Sequence, residues 1–121
     1  VLNGGWRKWF DEGRPVSIDR ARPAAATFTP RAHPDLLATL DYGRENVGNA
    51  DVVFLDVRSD GEWEGTNDRG NKRAGRIPGA VHLEWLNFVT RDKYRTIKPA
   101  HELRAMLEEV GVTPDKEIVT Y

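Results

Sequence analysis

The sequence predicts an α/β domain built on a mainly parallel sheet flanked by helices. Three observations carry that expectation. Val52-Val53-Phe54-Leu55 is an uninterrupted apolar run of β-branched, aromatic and aliphatic residues, the pattern of a strand buried on both faces. Between Pro99 and Gly111, the residues Leu103, Met106, Leu107 and Val110 fall on one helical face with charges opposite. Strand-like and helix-like segments then alternate along the chain, which favours crossover connections and parallel pairing.

The elements follow in order. Asn3-Gly4-Gly5 has turn chemistry. Trp6, Trp9 and Phe10 recur at helical spacing, and Gly13 suits a helix stop before Pro15. So short a helix with two tryptophans has nothing of its own to pack against. It either docks on the rest of the chain or belongs to a preceding domain. Residues 16–26 (VSIDRARPAAA), with Pro23 and an alanine run, read as a linker. Thr27-Phe28-Thr29 before Pro30 predicts a short edge strand, and residues 33–45, with Pro34 near the first turn and Leu36, Leu37 and Leu40, predict a helix. A turn at 48–51 leads into the apolar strand, and Ser59 is the expected N-cap of a helical turn reaching Trp63. Residues 65–75 (GTNDRGNKRAG) form a polar, basic, glycine-bearing loop. Ile77-Pro78-Gly79 turns into a short strand over 80–83, followed by the apolar cluster Trp85, Leu86, Phe88 and Val89. Pro99 opens the amphipathic helix, Gly111 caps it, Pro114-Asp115 turns, and 117–121 is a further strand.

Composition excludes several classes. The 18 basic and 19 acidic residues leave a formal net charge of -1, which counts against a nucleic-acid or polyanion binder. Charged residues are 31% of the chain and the mean hydropathy is -0.61, the balance of a soluble chain. No apolar run approaches the roughly 18 residues of a membrane span, so no membrane role is expected. The first residues show no basic-then-apolar leader, and a cytoplasmic location is the expectation. The chain contains no cysteine, which removes disulfides, thiolate zinc sites and cysteine nucleophiles from these residues. His33, His82 and His101 lack ligand-like spacing and read as surface or cap residues.

In open parallel sheets, ligands bind off the carboxyl ends of the strands. Asp56 and Arg58 stand at alternating positions where the apolar run ends. They either form a structural ion pair or brace an adjacent loop. Asp60, Glu62 and Glu64 read as surface charge on a short turn. Arg69, Lys72, Arg73 and Arg76, with Gly70 and Gly75 between them, form either a solvated loop or a surface for an anionic ligand. The glycines match no phosphate-loop or dinucleotide pattern. Trp63 and Trp85 are expected in or at the edge of the core.

Two segments in order, Phe54-Leu55-Asp56-Val57-Arg58-Ser59 with Glu62-Trp63, then Gly75-Arg76-Ile77-Pro78-Gly79-Ala80, closely resemble the N-terminal signature of the rhodanese family. Arg76 stands where histidine is usual. Residues 99–111 and 117–121 resemble the helix and strand that lead to that family's active-site loop, and residues 1–17 resemble the last helix of a preceding rhodanese domain. The resemblance implies a rhodanese-like fold with an incomplete second domain. Residues 1–15 are then a remnant of the first domain, 16–26 the linker and 27–121 the N-terminal part of a catalytic-type second domain. It implies a thiosulfate or 3-mercaptopyruvate sulfurtransferase whose nucleophilic cysteine begins a C-x-x-G-x-R-like loop immediately after Tyr121. The partners are a small anionic sulfur donor, a cyanide or thiol acceptor and the preceding rhodanese domain, with no metal or organic cofactor. Asp56 and Arg58 match positions that brace the active-site loop. Glu62 stands where well-studied members have a substrate-contacting arginine, and Arg69 or Arg73 could supply positive charge in its place. The alternative is a rhodanese-like binding or regulatory module without a nucleophile. A phosphatase related to the same fold would need a loop one residue longer.

Overall fold

The computed structural model describes residues 2–121. The apolar run becomes β1 (Val52–Asp56), the middle strand of a three-stranded sheet ordered β2-β1-β3, with β2 at Val81–His82 and β3 at Glu117–Thr120. Both pairings are parallel: Leu55 and Asp56 lie opposite Val81 and His82, and Val52 to Leu55 lie opposite Glu117 to Thr120. The expected parallel α/β sheet is therefore present. Burial concentrates at the carboxyl half of β1, where Phe54 and Leu55 are buried and Asp56 is 0% exposed. Val52 and Val53 are half-buried.

Local signals account for most of the helices. α1 (Gly5–Asp11) and α2 (Leu40–Asn46) precede the sheet, α3 (Asp60–Glu64) follows β1, and α4 (Ala100–Glu109) crosses from β2 to β3. Pro99 stands at the N-cap of α4, a place where no amide donor is lost. Leu103, Met106, Leu107 and Val110 are each half-buried along one face. The helix ends in a left-handed glycine, Gly111 at φ 81°. Its N–H donates to Glu108 O at 3.0 Å and the Val112 N–H to Leu107 O at 2.9 Å, the paired bonds of a Schellman stop.

Three expectations are corrected. Residues 33–45 are not one helix: a 3-10 turn at Pro34–Leu36 breaks at Leu37, which is extended, and α2 starts afresh at Leu40. Thr39 causes the restart, its hydroxyl accepting from Tyr42 N at 3.1 Å as an N-cap. Leu36, Leu37 and Leu40 are 81%, 73% and 71% exposed. They border a groove of about 650 Å³ against β3 that also takes in Ile118 and Tyr121. Thr27-Phe28-Thr29 is not a strand, since residues 14–33 contain neither helix nor strand. Phe28 is exposed and has no surface to press against. Trp85 lies in a 3-10 turn at Trp85–Phe88 and is exposed rather than in the core.

Trp6 and Phe10 of α1 are exposed too, while Trp9 donates to Pro15 O at 2.9 Å. This N-terminal piece meets the rest of the chain through Asp11–Lys93 at 2.8 Å and through the Ile97 N–H, which donates to Asn3 Oδ1 at 2.8 Å.

Candidate functional site

The polar switch after Leu55 is held by backbone on both sides. Leu83 N donates to Asp56 O and Trp85 N to Val57 O, each at 3.0 Å. From the β3 side, Tyr121 N donates to Leu55 O at 3.2 Å and Val57 N to Tyr121 O at 3.1 Å. With the main chain clamped, Arg58 folds back onto the Asp56 side chain. Its Nε donates to Oδ1 at 2.9 Å, its Nη2 to Oδ2 at 2.5 Å and its backbone N to Oδ1 at 3.0 Å. This is a two-pronged guanidinium–carboxylate contact. Burial pushes the Asp56 carboxyl up, but the side-chain and backbone hydrogen bonds from Arg58 outweigh it and hold the group below its ordinary value. Asp56 in turn holds the Arg58 guanidinium in its charged form. The two are an ion pair, and Arg58 Nη2 also reaches Gly75 O at 3.0 Å. The pair therefore ties the strand end to the start of the Gly75–Ala80 segment.

That segment is shaped by its own residues. Ala80 N donates to Ile77 O at 3.1 Å, and Gly79 sits at φ 78° after Pro78. A left-handed residue after proline is the requirement of a type II turn, which glycine meets without a Cβ clash. Ile77 N donates to the Tyr121 hydroxyl at 3.1 Å. The Arg58 guanidinium lies over the Tyr121 ring, 5.1 Å from its centroid.

A second layer forms behind this group. The His82 ring stacks on Trp63 at 4.9 Å with 6° between planes, and the Arg76 guanidinium is 4.0 Å from the Trp63 centroid. Arg76 Nη1 also donates to Trp63 O at 2.9 Å. His82 Nε2 is 3.0 Å from Arg58 O. A carbonyl oxygen only accepts, so Nε2 is the ring nitrogen that donates here. Nδ1 then lies 3.8 Å from the Asp60 carboxylate. His82 was expected at the surface or in a cap, yet its side chain is only 16% exposed. Trp63, half-buried, sits at the core edge as expected.

The remaining sequence candidates separate. Glu62 turns inward onto the start of α3, its Oε2 accepting from Ser59 Oγ at 2.7 Å and Ser59 N at 3.3 Å. The Ser59 hydroxyl is the main reason its carboxyl lies below the usual range. Arg69 Nε approaches the same oxygen at 3.4 Å, so the two charges oppose each other locally. Arg69 is left-handed at φ 53°. The turn around it is closed by Arg69 N donating to Asn67 Oδ1 at 3.0 Å and Gly70 N to Asp68 Oδ1 at 2.8 Å. Arg73 is exposed on the same loop and joins no ion pair among the described residues. The structure thus brings together Asp56, Arg58, Tyr121 and Ile77, joins Arg69 to Glu62, and leaves Arg73 apart.

Sequence reasoning missed His82 and Tyr121 as members of the group. Their signal lies in strand register, which puts His82 opposite Asp56 and Tyr121 one residue beyond the Leu55–Thr120 pair. Among the described residues, no group of three His, Cys, Asp or Glu side chains is placed to hold a metal, and no helix is long and apolar enough to cross a membrane. Chemically, the site offers a pinned cation, an ionised buried carboxylate and a phenol at adjacent strand ends. The chain contains no thiol to act as nucleophile.

Residues 39–121 match the rhodanese-like domain family. The thiosulfate sulfurtransferase of Azotobacter vinelandii is 38% identical over 120 residues, covering 99% of this chain and 43% of that protein. The sulfur carrier protein TtuD of Thermus thermophilus is 36% identical over 132 residues, covering 100% of this chain and 46% of that protein. The chain therefore spans less than half the length of these relatives. Among solved structures, the anaerobic ergothioneine biosynthesis enzyme of Chlorobium limicola with trimethyl histidine superposes with a TM-score of 0.78 at 27% identity, over 100% of this chain and 31% of that one. The Y353A form of EanB, with ergothioneine covalently linked with a persulfide cysteine, superposes with a TM-score of 0.81 at 27% identity, again over 100% and 31%.

Proposed function

Because the chain belongs to the rhodanese-like domain family, we propose that it is part of a sulfurtransferase that carries sulfane sulfur on a cysteine immediately following Tyr121. In this reading residues 1–15 close a first rhodanese-like domain, residues 16–26 link, and residues 27–121 open the second. The donor is thiosulfate or 3-mercaptopyruvate and the acceptor cyanide or a thiol. The observation that carries the reading is the Asp56–Arg58 pair at the end of β1, next to the end of β3 where Tyr121 stands. Strand ends of a parallel sheet are where such folds do their chemistry. The names of the relatives, thiosulfate sulfurtransferase and sulfur carrier protein, support sulfur as the cargo.

The reaction is a double displacement. The thiolate attacks the outer sulfur of thiosulfate, the sulfur–sulfur bond breaks, and sulfite leaves with the bonding pair. The product is a cysteine persulfide. Cyanide then attacks the terminal sulfur, thiocyanate departs, and the thiolate is restored with no net oxidation and no cofactor. The Asp56–Arg58 pair and its bond to Gly75 brace the loop that carries the thiol. A loop of inward-pointing amides ahead of a helix N-terminus lowers the thiol pKa. Glu62 is turned onto Ser59 and joined to Arg69, so in this reading donor contact falls to groups outside that pair, with Arg73, exposed on the same loop, as the candidate.

The test is a thiosulfate:cyanide assay on the full-length protein, on its cysteine-to-serine variant and on residues 1–121. Turnover by the full-length protein alone is expected. Turnover by residues 1–121, which have no cysteine, would overturn the mechanism. A full-length protein inert towards both thiosulfate and 3-mercaptopyruvate would favour the binding-module alternative.

A further inference from the structure

We propose, resting on the reading above, that Tyr121 is a positioning residue whose hydroxyl locks the Ile77-Pro78-Gly79 turn to the ends of β1 and β3 and so sets the ionisation of the thiol at the next position. The backbone of Tyr121 is bonded on both sides of its own position, to Leu55 O at 3.2 Å and from Val57 N at 3.1 Å. Its main chain therefore moves only with the two strand ends. The hydroxyl accepts from Ile77 N at 3.1 Å across 44 residues of sequence. Ile77 opens the type II turn that leads into β2, so this one oxygen joins all three strands at their functional end.

The hydroxyl proton remains available after that bond is accepted, and the Arg58 guanidinium that lies over the same ring is the group that grips the Asp56 carboxylate. Tyr121 adds to Arg58 in favouring the ionised form of Asp56. Burial keeps the phenol itself protonated, raising it above its ordinary value. Asp56 is fully buried, so its negative charge is poorly screened by water. Left bare, that charge opposes a thiolate one residue beyond Tyr121, raising the thiol pKa. Arg58 holds the carboxylate through Nε and Nη2, and its guanidinium covers the Tyr121 ring at 5.1 Å. Removing the hydroxyl uncovers part of the charge and releases the Ile77 N–H at the same time.

The experiment uses the full-length protein with Tyr121→Phe and, separately, with 3-fluorotyrosine at 121, which keeps the oxygen and donates more strongly. The readouts are the pH midpoint of thiol alkylation by iodoacetamide, kcat and KM for thiosulfate against pH, and the melting temperature. Tyr121→Phe is expected to move the alkylation midpoint up by about half a pH unit or more. It should lower kcat about threefold or more near pH 6.5, with recovery towards pH 9 and KM nearly unchanged. The 3-fluorotyrosine protein should keep the midpoint at or below that of the unmodified protein. A merely structural hydroxyl would lower the melting temperature and leave the midpoint in place, which overturns the proposal. If Tyr121→Phe does not fold, an upward midpoint with 3-fluorotyrosine overturns it equally. A full-length protein with no reactive thiol and no sulfur transfer removes the functional reading, whereas normal transfer with an unmoved midpoint removes this proposal alone.

Discussion

Replacing Arg58 with methionine takes the cation from Asp56 while keeping most of the apolar stem. The lost contacts are Nε–Oδ1 at 2.9 Å, Nη2–Oδ2 at 2.5 Å and the tie from Nη2 to Gly75 O at 3.0 Å. The backbone bond from Arg58 N to Oδ1 at 3.0 Å remains. Removing one partner of a buried pair costs about 3–5 kcal/mol, because the other charge is left uncompensated. The Asp56 side chain is 0% exposed but that of Arg58 is 29% exposed, so water takes over part of the guanidinium's work. A loss of about 2–3 kcal/mol at pH 7 is expected. In a domain of this size that lowers the melting temperature by on the order of 10–20 °C. The pH dependence identifies the cause. Asp56 is depressed in the folded protein, so its stabilisation is fully present above the ordinary carboxyl value and is lost as pH falls through the folded one. In the variant, burial is opposed only by the backbone N–H of residue 58 and by Tyr121, so the same carboxyl rises. The gap between the two proteins should therefore be widest at neutral pH and narrow as pH falls below about 4. Urea unfolding at several pH values measures it, and Asp56→Asn in the variant should recover most of the loss. A gap independent of pH, or one under about 0.5 kcal/mol at pH 7, would refute the reasoning.

Two other perturbations address the donor loop and the crossover helix. In the full-length protein, Glu62→Arg removes the acceptor at Ser59 and the partner of Arg69, and should change the kcat/KM preference between thiosulfate and 3-mercaptopyruvate about tenfold. An unchanged ratio would mean that neither the freed Arg69 nor a cation at position 62 reaches the donor. Gly111→Ala forces a Cβ into a residue at φ 81° that ends α4, and should cost about 1–2 kcal/mol in a denaturant melt. A loss below the error of the melt would show that the stop relaxes without strain.

Much of the fold was legible because its signals are short-ranged. The apolar run at β1, the Ser59 start of α3, the Pro78-Gly79 turn and the Gly111 stop each rest on residues within about one helical turn of one another. Asp56 and Arg58, separated by a single residue, marked the carboxyl end of β1 for the same reason. The helix at 33–45 failed on a signal of that same range: Thr39 offers an N-cap that restarts the chain, and leucine periodicity alone does not register it.

The sequence by itself determined that these residues contain no thiolate nucleophile and that acid and base meet where β1 ends. It did not determine which groups complete that meeting. His82 reaches Arg58 O across 24 residues and Tyr121 reaches Ile77 across 44, and neither spacing carries a pattern. Their meeting follows from the register of β2 and β3 against β1. Glu62 was decided by rotation of a single side chain, onto Ser59 instead of outward. Composition and periodicity report what one stretch of backbone prefers, whereas partners across strands depend on packing, which exists only once the sheet has formed.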